Sequence, residues 1–146
     1  MTGAFVLAMA VPLPAFAATV AVPAQAQRSE ASGEVVTPAL YAVRFVGAAG
    51  GGRGSLYVGH GIVSGVDVTG GTYDGSYGVN EGRVHGIASM RALGETQLVT
   101  GQRLDGGQAL EIRFELPVAI DETATYDITV GGQPVRIQLR KVRDLP

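Results

Sequence analysis

Ala109-Leu110-Glu111-Ile112-Arg113-Phe114-Glu115-Leu116 alternates without a break: Leu110, Ile112, Phe114 and Leu116 are apolar, and the residues between them are small or charged. In an extended chain successive side chains point to opposite faces, so this stretch forms a strand with one dry and one wet face. On a helix the same residues would spread around the whole cylinder and leave no apolar stripe. A strand dry on one side only belongs to an antiparallel sheet.

The same rhythm recurs at both ends of the domain. Tyr41, Val43 and Phe45 oppose Ala42 and Arg44, and Val135, Ile137 and Leu139 oppose Arg136, Gln138 and Arg140. Between them, residues 54–59, 61–68, 72–79, 83–93 and 125–130 read as further strands. Gly59-His60-Gly61, Asn80-Glu81-Gly82 and Gly131-Gly132 separate strands with residues that tolerate positive φ in tight hairpins. Eight short strands with mostly hairpin connections predict an all-β, antiparallel, up-and-down barrel over residues 40–146; a two-sheet β-sandwich is the alternative. Eighteen of the 22 glycines lie between Gly47 and Gly107. Gly65, Gly75, Gly78 and Gly86 fall inside strands, where glycine permits the sharp coiling a small barrel needs. Gly94–Gln108 is too long for a hairpin and holds either a loop or an extra strand near Gln97–Thr100.

Residues 1–26 read as an export leader. A short apolar run, Phe5–Val11, precedes Pro12 and Pro14, and the small-x-small sites Ala15-Phe16-Ala17 and Ala24-Gln25-Ala26 follow, although no Lys or Arg precedes Arg28. A disordered Ala/Pro tail is the second reading and a membrane anchor the third, since the two prolines would break a spanning helix. Residues 27–39 are small, polar and aperiodic, a linker. The expected location is periplasmic or secreted, or cytoplasmic if the leader does not function, with no stable membrane insertion once it is removed.

Eleven Lys and Arg against 13 Asp and Glu give a net charge of −2, which lacks the basic excess a nucleic-acid binder uses to displace counterions. With no cysteine, disulfides and thiolate sites are excluded. Gly47–Ser55 has the outer glycines of a phosphate loop but Arg53 and Gly54 where lysine and Ser/Thr belong, with strand-like Leu56-Tyr57-Val58 after it, so it reads as a flexible hairpin loop. His60 and His85 read as surface residues, and no metal or other cofactor is implied. Glu111 and Glu115 flank Arg113 and are expected to pair across strands with Arg136 and Arg140 rather than form a catalytic carboxylate pair. Arg136, Arg140, Lys141 and Arg143 form only a modest basic cluster. Tyr73, Gly75 and Tyr77 share one strand face, either as a packing device over a strand glycine or as an aromatic pair facing a ligand or partner.

Tyr41-Ala-Val-Arg-Phe45, the glycine-rich stretch, Gly61-Ile-Val-Ser-Gly65, Tyr73-x-Gly75-x-Tyr77 and Asn80-Glu-Gly-Arg-Val84 together resemble the GrlR-like family, bacterial negative regulators of type III secretion. The resemblance implies an eight-stranded lipocalin-like barrel that binds another protein and dimerises, without catalysis. The family's acidic partner-binding loop falls near Val79–Gly82, where Glu81 is the one acidic residue. The expected function is therefore a non-enzymatic binding domain whose partner is a protein or a second copy, with Tyr73, Gly75, Tyr77 and Glu81 as candidate binding residues and no catalytic or metal-ligating residues. The alternative is a carrier holding a small apolar ligand inside the barrel, with Tyr41, Phe45, Tyr73, Tyr77, Leu110, Ile112 and Phe114 pointing inward.

Overall fold

The computed structural model describes residues 36–146; the expected leader and the linker as far as residue 35 lie outside the described residues. Ten strands follow in chain order: β1 (Ala39–Gly47), β2 (Gly50–Gly59), β3 (Ile62–Asp67), β4 (Thr72–Asn80), β5 (Arg83–Arg91), β6 (Thr96–Gln97), β7 (Arg103–Leu104), β8 (Ala109–Pro117), β9 (Tyr126–Val130) and β10 (Gln133–Asp144). Eight of them close into an antiparallel barrel in the order β1-β10-β9-β8-β5-β4-β3-β2, and β6 and β7 form a separate two-stranded ribbon. Closure rests on β1, which pairs with β2 on one side and β10 on the other, so the barrel has no edge strand. A sandwich would leave that ladder open.

The alternation set the register. Ile112 is buried and Leu110, Phe114 and Leu116 are partly buried, while Glu111, Arg113 and Glu115 are exposed. Three two-residue turns carry positive φ at both positions: His60 (52°) with Gly61 (78°), Glu81 (51°) with Gly82 (75°), and Gly131 (57°) with Gly132 (81°). Such turns match the right-handed twist of the strands they join.

Gly50–Gly54 belongs to β2 and not to a flexible loop. Gly51, Gly52 and Gly54 pair with Val46, Phe45 and Val43 of β1, and the Phe45 ring lies over Gly52. β1 supplies the order that local composition does not. Other inward glycines do similar work. A Cβ on Gly75 would lie 2.5 Å from Ala88 Cα and 2.6 Å from Ala88 Cβ, and the Phe114 ring covers Gly86. Gly78 differs, since it faces outward with open space around it.

Two apolar clusters line nearly opposite walls. One joins Tyr41 and Val43 of β1 to Val135, Ile137 and Leu139 of β10; the other joins Ala88 and Met90 of β5 to Ile112 of β8, together with Leu98 and Leu104 from the excursion between β5 and β8. That excursion covers the barrel end bearing the β1–β2 turn, where the Ala49 N–H donates to the Val99 carbonyl at 2.7 Å.

Candidate ligand cavity

Between the two clusters the barrel is hollow. A cavity of about 260 Å³ is lined by Tyr41, Leu56, Val63, Ala88, Ile112 and Ile137, among other apolar side chains. Inward alternation on each strand delivers these groups, and glycines at Gly52 and Gly54 leave the β2 wall thin.

The polar spot on its wall is built from the turn after β3. Asp67 Oδ1 accepts hydrogen bonds from the Thr69 N–H (2.9 Å), the Thr69 hydroxyl (2.6 Å) and the Gly71 N–H (3.0 Å), and Asp67 Oδ2 accepts one from the Tyr73 hydroxyl at 2.5 Å. Burial by itself pushes the Asp67 carboxyl upward, but the bonds from Thr69, Tyr73 and Gly71 together outweigh it, and the net shift is downward. Burial, reinforced by the bond to Asp67, holds the Tyr73 phenol strongly upward in its neutral form. The carboxylate is thus spent on its own turn. Among the described residues no buried side-chain nitrogen or oxygen lacks a partner, so the wall offers an incoming molecule apolar contact in the main.

The four candidate binding residues do not converge. Tyr73 lines the cavity, whereas Gly75 is pressed against the β5 backbone. Tyr77 shares their strand face but contributes to an outer groove, and Glu81 sits exposed in the β4–β5 turn at the opposite end of the barrel from Asp67. Of the expected inward groups, Tyr41, Phe45, Tyr73, Ile112 and Phe114 line the cavity, while Leu110 packs beside it. Asp67 and Thr69 were legible as a turn, through Asp-x-Thr before two glycines, but nothing local placed that turn on a cavity wall.

Surface charges pair differently from expectation. Glu111 binds Arg113 on its own strand (2.8 Å) and Glu115 binds Arg83 on β5 (2.7 Å). Arg136 instead approaches Asp127 at 3.5 Å, because β9 separates β10 from β8. His60 occupies the β2–β3 turn, and His85 faces outward with Nδ1 3.9 Å from Glu115. Among the described residues no three His, Asp or Glu side chains are grouped to hold a metal ion. The outer groove, an open volume of about 820 Å³, runs across β4, β5, β8, β9 and β10. No family model matches the chain, and no curated protein matches it.

Proposed function

We propose that the barrel is a non-enzymatic binding domain that holds a small, compact, apolar molecule in its interior. The observation that carries this reading is the cavity of about 260 Å³, whose lining is mostly apolar and whose one carboxylate, Asp67, is already bonded to Tyr73 and its own turn. An apolar cavity of about 150 Å³ accepts benzene, and small-molecule pockets span roughly 300–1,000 Å³. The space therefore suits one or two fused rings or a short branched chain, and it is too small for a full-length acyl chain. A charged ligand would surrender its hydration to a mostly apolar wall. Export to the periplasm or beyond, which the leader-like run Phe5–Val11 supports, would make this a carrier or scavenger outside the cytoplasm. Titration with 1-naphthylamine, a two-ring probe followed by its fluorescence, is expected to saturate at one molecule per barrel. Val63→Phe, which pushes a ring into the cavity, should abolish the signal while the chain stays folded.

A second reading, action through protein contacts, is favoured by the outer surface. Apart from Arg53 and Asp74, the outward residues of β2, β3 and β4 are uncharged, and Ile62 and Val66 stand 48% and 50% exposed among them. Charge depletion of this kind marks the centre of protein interfaces. The resemblance to GrlR-like regulators supports the same reading. Light scattering that shows a dimer in wild type and a monomer in Ile62→Arg would favour it; a monomer throughout, with no partner captured by crosslinking, would count against it.

A further inference from the structure

We infer that the apolar ligand enters and leaves through the side of the barrel, between β8 and β9, with Phe114 and Ile128 as the movable wall. The inference rests on the cavity reading above and adds its route of access.

The β8–β9 seam is the weakest ladder in the barrel. It contains two register pairs, Ile112 with Val130 and Arg113 with Thr129, where β5 and β8 share nine. Above these pairs the Gly131 N–H donates to the Glu111 carbonyl at 2.8 Å, so that end of the seam is fastened. Below them the ladder stops. Continuing its register would set Glu115 opposite Asp127, both outward-facing and both acidic. Like charges directly across a strand pair oppose pairing. Each carboxylate is instead drawn to the far side, Glu115 to Arg83 of β5 and Asp127 to Arg136 of β10. The sequence thus holds the lower seam unzipped.

Two side chains stand in that gap. Phe114 and Ile128 line the interior cavity and also line the outer groove, and no other described residue does both. Phe114 rests over Gly86, where a Cβ would lie 2.6 Å from its Cε2 atom. The ring packs on the Gly86 backbone, so no β5 side chain at that position has to be displaced when it moves. At one barrel end Leu98 and Leu104, from the β5–β8 excursion, are buried, and the exposed Val66, Val68 and Thr69 also line the cavity there; Val36, Val118 and Ile120 line it at the other end. Among the strand pairs of the wall, local opening follows the path that breaks the fewest bonds, and here that path is the seam.

The chain has no cysteine, so the seam can be locked without side reactions. Arg113→Cys/Thr129→Cys places thiols on the last paired positions of the two strands, and independently Glu115→Cys/Asp127→Cys places them where the continued register would bring the strands together. Exchange of 1-naphthylamine, read by stopped-flow fluorescence, should slow by about tenfold or more in both directions when either bridge is oxidised, with little change in Kd and recovery on reduction. Phe114→Ala, which removes the wall without a crosslink, should speed both directions. Binding with rates unchanged by the bridges and by Phe114→Ala would overturn the inference and direct access past the exposed Val68 and Thr69 at the β6–β7 end. Absence of binding in the wild type would defeat the cavity reading itself, and this inference with it.

Discussion

Gly75 and Gly78 sit three residues apart on one strand and face opposite ways, and that difference decides what an added methyl group does. At Gly75 the new Cβ would press on the β5 backbone at Ala88, which cannot move aside as a flexible side chain would. Gly75→Ala is expected to destabilise the barrel by about 1–3 kcal/mol, the range of overpacking in a closed core. Gly78→Ala meets open space and should stay within about 0.5 kcal/mol of wild type. Urea denaturation of the pair checks both, and equal effects would contradict the packing. Asp67 supplies the pH dependence at this scale. Its folded pKa lies below its unfolded value, near 3.9, so its contribution is present above that value and is lost as pH falls through the lower folded one. Tyr73 has the opposite sign. Its folded pKa is raised, so its contribution is complete below about pH 10 and is lost as alkali rises beyond it. Melting curves from acid to alkali should therefore show Asp67→Asn less stable at neutrality with a flatter acid limb. Tyr73→Phe should flatten the alkaline limb.

At the scale of elements, the hairpins and the alternating strands were legible because their signals are local. Leu110, Ile112, Phe114 and Leu116 needed no partner to be read as one face, and His60-Gly61 and Glu81-Gly82 announced their turns. What the sequence left hidden depends on partners far along the chain. Gly50–Gly54 carries no strand signal of its own and is ordered by β1. The pairs β6 and β7, two residues each, are too short for any periodicity to register. The partners of Glu111 and Glu115 followed from strand order, which placed β9 between β8 and Arg136. The candidate site was legible only in part. Tyr73 was found through its strand face, but the Asp67 contact that binds its hydroxyl arises from a turn curling back over the cavity. The seam yields a prediction of its own. Asp127→Lys replaces a repulsion with an attraction to Glu115 and should extend the β8–β9 ladder, for a cross-strand gain of about 0.2–1 kcal/mol. Hydrogen exchange at residues 114–116 and 126–128 should slow in that variant, and unchanged exchange would argue against charge as the cause of the open seam.

For the molecule as a whole, eight strands give a barrel just wide enough to be filled by its own side chains or to hold one small guest. Glycines at Gly52, Gly75 and Gly86 allow close strand approach and let aromatic rings lie flat on the wall. The space that remains is mostly hydrophobic and compact, with Asp67 the one charged group among its described lining residues, and the charged residues of β8 to β10 face outward. The proposed function follows from that division between a greasy interior and a wet exterior. Its most direct test is diffraction from crystals of the protein held under xenon, a probe that needs apolar space and nothing else. The account predicts bound xenon density inside the barrel among Leu56, Val63 and Ile112. A barrel interior with no xenon, closed by its own side chains in that same place, would contradict it.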